Sequence, residues 1–354
     1  MSALSARDRV TFAVKSAVAH ALYLSGLLGL ILRARLRRRA VVLMYHRVLT
    51  PEEQAATASQ PGLVVQVATF RRHLEVLRRH CQILSADEFV AHVERRTPFA
   101  RPSCLITFDD GWLDNLHNAL PVLREQQCPA LIFLPVHFIG TGRMFVRERL
   151  TRLLIHAVRA ARTNAALAAS LRADLAPLGL QGVLDFPDEG LRARVIEAVR
   201  VHRYANGPEF EALVTSLAGR LGSEAASEPS PDAFIDWDQV AQMARDGIAF
   251  GGHGADHRVL TQVDADTVRR EVATSKAVLD TRLPSPVVTF AYPGGGWNRA
   301  VAEAVRDGGY RVAFTIDAGY VACDDDPLAL KRVSVHDDIT RSTPMFMARL
   351  AGVF

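Results

Sequence analysis

Seven apolar, β-branched runs recur along the chain: "AVVLMY" (40–45), "SCLITF" (103–108), "PALIFLPV" (129–136), "GIAFGG" (247–252), "PVVTFAY" (286–292), "YRVAFTI" (310–316) and "LKRVSV" (330–335). Most are continuous rather than alternating, the pattern of strands covered on both faces in a parallel sheet or barrel. Amphipathic stretches between several of them predict helices at 114–127, 265–283 and 298–309, the last two ending in Leu-Pro and Gly-Gly stop signals. The alternation predicts an α/β barrel. The rhythm breaks from 141 to about 232, where Leu150, Leu153, Leu154, Ala157, Val158 and Ala161 recur at helical spacing. A helical insertion is expected there, closing in the small, polar, proline-bearing linker "GSEAASEPSPD" (222–232).

A different pattern opens the chain. Ser16 to Leu32 is a run of seventeen residues without formal charge, followed by "RARLRRR" (33–39). Seventeen is the short end of a membrane span, and a basic block directly after it opposes a cleaved secretory signal. Three cations precede the run (Arg7, Arg9, Lys15) and five come after it, a bias that places the C-terminal remainder of the chain in the cytoplasm. Residues 1–39 are therefore expected to be membrane-associated through about 10–39, as a span, a re-entrant segment or a helix lying in the interface. The competing expectation is a buried first helix of the domain that occupies 40–354.

Composition changes this picture little. The chain has 354 residues, 49% hydrophobic and 23% charged, enough for one large domain or two ordinary ones. Its net charge of +4 is exceeded by Arg33, Arg35, Arg37, Arg38 and Arg39 alone, so the rest is near neutral and carries no nucleic-acid signal. Cys81, Cys104, Cys128 and Cys323 are scattered without a C-x-x-C pair, and are read as reduced core thiols favouring a reducing compartment. No phosphate loop or nucleophile elbow occurs.

The chemistry sits at the carboxyl ends of the predicted strands, where α/β barrels assemble their sites. "VVLMY" ends in His46, "CLITF" in Asp109 and Asp110, "GIAFGG" in His253 with His257 four residues on, and "VVTFAY" in "PGGG". Adjacent carboxylates after a buried strand need a cation or proton partner. Two imidazoles and one carboxylate suit a divalent ion such as Zn²⁺, leaving the second aspartate free to take a proton from water. The helical zinc-protease reading fails, because His253-Gly254-Ala255-Asp256-His257 lacks the glutamate of H-E-x-x-H.

"TFDDG" (107–111), "GGHGADH" (251–257) and "FAYPGG" (290–295), in this order, resemble the successive motifs of the polysaccharide deacetylase family, the NodB-homology or carbohydrate esterase family 4 domain. The likeness covers roughly 40–140 and 233–340. It implies a distorted (β/α)₇ barrel that uses a bound divalent metal to remove N- or O-acetyl groups from glycans. It implies Asp109 as general base, Asp110 with His253 and His257 as metal ligands, and the backbone of Pro293, Gly294 and Gly295 as the source of an oxyanion donor. The general acid of many relatives lies in a late L-x-H motif. "LMYHRV" (43–48) instead resembles the poly-N-acetylglucosamine deacetylase branch, which makes His46 the acid and leaves His336 in "VSVHDD" as its competitor.

Three positions depart from the family pattern. Gly254 stands where Ser or Thr is usual, Ala291 where an arginine steadies the base, and Gly294 where an aromatic residue is common. Asp114 and Asn115 are expected to cap the next helix, and "RRHLEVLRRH" (71–80) to be a solvated basic face. His137, Trp237, Trp297 and Asp317 are candidates for lining a sugar cleft, with Trp237 equally fit for the core. The expected function is N-deacetylation of an acetamido sugar in a polymer or lipid-linked glycan. The enzyme would sit at a bacterial inner membrane, its catalytic domain on the cytoplasmic side, beside a polysaccharide synthesis or export complex. Alternatives are an O-acetyl esterase or other small-amide hydrolase, and a silent glycan-binding scaffold.

Overall fold

The computed structural model describes residues 6–202, 207–222 and 231–354. Most of the expected linker, 223–230, lies outside these residues. All seven apolar runs form strands: β1 (Arg39–Tyr45), β2 (Ser103–Phe108), β3 (Leu131–Leu134), β4 (Ala249–Gly252), β5 (Thr289–Ala291), β6 (Val312–Ala318) and β7 (Leu330–Ser334). Neighbours pair in parallel in the order β1-β7-β6-β5-β4-β3-β2, and β2 pairs again with β1, closing a seven-stranded barrel. Because every pairing is parallel, all carboxyl ends meet at one rim. Gln82–Ile83 adds to β2 in parallel and Val321–Ala322 to β1 antiparallel. All six residues of β2 are buried, which is why the run is apolar on both faces.

Five helices bear on the site or on the surface: α1 (Ala6–Leu24), α2 (Leu27–Arg35), α3 (Val67–His80), α4 (Ala265–Arg282) and α5 (Thr343–Leu350). Both α1 and α2 pack on α5, with Ala19, Leu28, Leu32 and Leu36 fully buried in the main core. The uncharged run over 16–32 is not one continuous helix. Ser25 and Gly26 break it, Gly26 adopting a left-handed φ of 76°, and the two helices meet at 91°. No single described helix is long and apolar enough to cross a membrane.

The chain divides into two compact units. The barrel unit comprises residues 1–51, 61–141 and 234–354, and the other comprises 52–60 and 142–233. In the second unit, helices Val146–Thr163, Ala165–Leu175, Leu191–Arg200 and Pro208–Leu221 share a core that includes Leu150, Leu154, Leu171, Val195 and Leu217. Residues 52–60, which carry no helical-insertion signal in the sequence, are tied in by Asp232, which accepts from the Thr57 hydroxyl and, at 2.8 Å, from the Ala58 N–H.

Candidate active site

β2 delivers two carboxylates to the rim because the chain reverses immediately after it. Asp110 takes a left-handed φ of 80°, a conformation costing a non-glycine residue on the order of 1–3 kcal/mol and kept where the surroundings enforce it. Gly111 follows at φ 71°, and a Cβ there would stand 2.5 Å from Leu134 Cδ2 of the buried core, so a side chain there would be strained and would displace Leu134. The turn leaves Asp109 and Asp110 almost fully buried, pointing to different partners.

Asp110 Oδ2 accepts from the Trp112 indole at 2.9 Å. Its Oδ1 has no hydrogen-bond partner though buried, and lies 3.5 Å from His253 Nε2 and 3.2 Å from His257 Nε2. Two ligands bonded to Zn²⁺ at about 2.0–2.1 Å with tetrahedral angles stand roughly 3.4 Å apart, so these spacings fit a shared ion. The His253 Nδ1–H donates to the Ala291 carbonyl at 2.8 Å, which leaves Nε2 as the lone-pair nitrogen facing Asp110. All three ligand atoms lie within 4.8 Å of one another. Burial works against charge on His253, but Asp110 and Asp109 overcome it and hold its pKa above the ordinary value. Burial likewise resists ionisation of Asp110, yet the two histidines hold its carboxyl well below the usual range. The orphaned oxygen, the oriented His253 imidazole and the approach of His257 together fit a divalent cation held by Asp110, His253 and His257.

The loop carrying the histidines is braced by a residue with no motif of its own. Glu271 on α4 is buried and its Oε2 accepts the N–H groups of Ala255 at 2.8 Å and Asp256 at 2.9 Å. Gly254, at φ 75°, passes so close that a Cβ would stand 3.0 Å from that same oxygen. The departure at 254 thus has a physical counterpart: a carboxylate from α4 orders the loop where a Ser or Thr hydroxyl is usual.

Ala291 has a counterpart as well. Arg332 on β7, fully buried, donates from its two terminal nitrogens to Asp109 Oδ1 and Oδ2 at 2.7 and 2.8 Å. Its Nε donates to the Thr315 carbonyl at 2.8 Å, so the fork is fixed. Burial raises the Asp109 pKa, but Arg332, with His253 and His46, brings it below the usual value, which keeps the carboxylate ionised. An arginine inside a strand has no signal of its own in the sequence.

His46 follows β1 with its Nε2 3.9 Å from Asp109 Oδ2. Burial lowers its pKa against the opposing pull of Asp109 and Asp110. The capping expectation for Asp114 and Asn115 is corrected: neither caps the helix through its side chain. Asn115 Nδ2 donates to the His46 carbonyl at 2.9 Å, and Asp114 accepts Arg47 Nε and the Val48 N–H, both at 2.7 Å. Arg47 in turn lies 4.2 Å over the Trp112 ring. These side chains pin the segment bearing His46 to the turn bearing Asp110.

His336 is largely buried with Nδ1 3.9 Å from Asp338 Oδ2, and burial, aided by Arg349 and His46 against the pull of Asp338, holds its pKa below the ordinary value. At the β5 end, the Gly295 N–H already donates to the Tyr292 carbonyl at 2.9 Å and Pro293 has no N–H, which leaves Gly294 as the donor of that turn. Of the cleft candidates, Trp297 donates to Asp317 at 3.3 Å and His137 pairs with Asp256 at 3.1 Å, both partly exposed. Trp237 packs against the core with Arg282 5.4 Å over its ring.

Fold and site together define a parallel β/α barrel with an Asp-His-His cluster and a second carboxylate at its mouth. Residues 199–313, which include both histidines and the Pro293 turn, match the family model described as polysaccharide deacetylase. Over 105 residues the chain is 29% identical to YxkH, a candidate polysaccharide deacetylase of Bacillus subtilis (strain 168), a match spanning 30% of this chain and 38% of that protein's length. The fold is similar to that of the Streptococcus pyogenes deacetylase PplD in complex with acetate (TM-score 0.54, 18% identity, 86% of this chain and 95% of that one). It is equally similar to IcaB from Ammonifex degensii (TM-score 0.54, 18% identity, 88% and 97%). A de-N-acetylase from Aggregatibacter actinomycetemcomitans is close behind (TM-score 0.52, 13% identity, 83% and 94%). The likeness to the polysaccharide deacetylase family thus lies in residues 199–313, and the solved structures share the fold.

Proposed function

We propose that this protein is a metal-dependent hydrolase that removes acetyl groups from the amide nitrogen of acetamido sugars in a glycan. The observation that carries the reading is the division of labour within one buried pair: Asp110 leaves an oxygen within 3.5 Å of His253 Nε2 and 3.2 Å of His257 Nε2, while Asp109 is locked to Arg332. When bound by Asp110, His253 and His257, a divalent ion, with Zn²⁺ the best match to this donor set, supplies Lewis acidity and lowers the pKa of its water. Asp109, ionised and fixed in direction, takes the proton from the attacking water. The Gly294 N–H faces charge developing on the carbonyl oxygen, a contribution of about 3 kcal/mol for one well-placed donor. An amine leaves poorly unless protonated, and His46 is the acid beside Asp109, near enough for the proton collected by the base to be handed on.

The names of the similar structures support an acetyl-removing activity: one was solved with acetate and another is a de-N-acetylase. A glycan-binding scaffold has no use for a second buried carboxylate held by its own arginine. The test combines metal analysis with acetate release from matched N-acetylated and O-acetylated glycans. Asp110→Ala and His253→Ala are expected to lose both metal and activity, whereas Asp109→Asn keeps metal and loses activity. Loss of metal from Asp109→Asn would overturn the assignment of roles, and acetate from O-acetylated glycans alone would make the protein an esterase.

A further inference from the structure

Ten large hydrophobic side chains are exposed among the described residues, and eight of them lie between Val10 and Leu30. A surface helix ordinarily turns a polar face outward, whereas α1 is apolar on both sides. Its inner side, with Ala19, is buried in the core. On its outer side Val10, Val14, Ala17, Ala21 and Leu24 are exposed and fall within roughly 80° of helical arc, at 100° per residue. Beyond the bend, α2 repeats the arrangement, with Leu28 and Leu32 buried and Leu27 and Leu30 outward. From residue 10 to 39 there are six Lys or Arg and no Asp or Glu, and the five arginines at 33–39 are all exposed.

We propose that α1 and α2 form a bent, interfacial anchor that lays this outer face on an anionic phospholipid bilayer without crossing it. The apolar face supplies burial among the acyl chains, and the arginines supply attraction to the headgroups, the pairing of features that holds amphipathic segments at membrane surfaces. No single described helix is long and apolar enough to span, and the 91° bend, with Ala19, Leu28 and Leu32 packed into the core, favours a pair that lies along the surface. A second copy of this chain would bring a like-charged arginine cluster against the first, which disfavours self-association as the cover. The arginine run enters β1 at its amino end, whereas His46 follows its carboxyl end. The anchored arginines therefore sit at the end of the barrel opposite the catalytic mouth. If the deacetylase reading holds, the mouth is left to a water-borne glycan strand.

The test is co-sedimentation of the full chain with vesicles of phosphatidylcholine alone or with about 30% phosphatidylglycerol. Binding is expected only with phosphatidylglycerol, reduced at least tenfold by 0.5 M NaCl and by the pooled variant Arg33→Gln/Arg35→Gln/Arg37→Gln. Val14→Gln/Leu24→Gln/Leu30→Gln, substitutions on the exposed side, should abolish binding while the melting temperature and any acetate release from soluble glycan stay as in the parent. Equal binding to both vesicle types, resistance of bound protein to alkaline carbonate extraction, or a vesicle-free dimer that the glutamine variants dissolve would each overturn the proposal. Because the readout is vesicle binding, it fails or stands independently of catalysis.

Discussion

Arg332 reaches Asp109 from the far side of the barrel in sequence and from close by in space: 223 positions separate them, yet two hydrogen bonds join them. The pair is buried, so its removal is felt asymmetrically. Taking away Arg332 leaves a carboxylate without its cation, a loss of about 3–5 kcal/mol, whereas replacing both partners by neutral groups restores much of it. Arg332→Met is therefore expected to melt well below the parent, and Arg332→Met/Asp109→Asn to regain most of the difference. Arg332→Lys keeps charge but not the fork, and should lower kcat by roughly 10–100-fold with metal content and KM little changed. A loss confined to KM would show that Arg332 shapes the pocket and not the base. The paired carboxylates were legible in the sequence because their types and spacing are rare. Arg332 was not, since nothing local distinguishes an arginine that faces a barrel interior from one that faces water.

Between elements, one histidine does what the sequence pattern hid. The α3 segment "RRHLEVLRRH" reads as a solvated basic face, and Arg71 and Arg72 are indeed partly exposed, but His73 is buried. Its Nε2 bonds the Thr340 carbonyl at 2.8 Å, which makes that nitrogen the donor, and its Nδ1 accepts from the Tyr45 hydroxyl at 3.1 Å. The ring also stacks on Phe346 of α5 at 3.8 Å. One side chain thus joins α3, the end of β1 and the C-terminal helices just behind His46. Burial lowers its pKa from 6.5 to about 3, so the folded protein keeps it neutral. The unfolded chain takes up a proton below pH 6.5 that the folded chain refuses until about pH 3. This contribution is complete above pH 6.5 and is lost as pH falls, by about 1.4 kcal/mol per pH unit. Urea titrations from about pH 7 to about 4.5, inside that window, should show His73→Phe less stable at neutral pH but less steep in its pH dependence than the parent. Parallel curves would mean that His73 is already charged in the fold. Strand positions were legible because parallel strands must be apolar on both faces. The inward turn of His73 was not, because a histidine carries no fixed polarity until its partners are known.

Across the whole molecule, the seven-strand closure brings residues far apart in sequence to one rim, and Asp110, His253 and His257 make that closure testable. The first ligand follows β2 and the other two follow β4, with β3 between them. An ion held there ties Asp110 to His253 across 143 positions of sequence, and it can bind only when the barrel is closed. Anything that binds the folded chain alone stabilises it by mass action, about 2.7 kcal/mol at a hundredfold excess over Kd. For a domain of this size that corresponds to a rise in Tm of roughly 5–10 °C. Chelator-treated protein is expected to melt lower and to recover on titration with Zn²⁺, the midpoint rising with the logarithm of free ion. Asp110→Ala should melt at one temperature under both conditions, since the remaining imidazoles lack the oxygen they share. Asp109→Asn should still respond, because its carboxylate faces Arg332 and not the histidines. If the parent and Asp110→Ala responded alike to chelator and ion, the stabilising ion would lie elsewhere, and the three residues would be a hydrogen-bonded cluster without a metal.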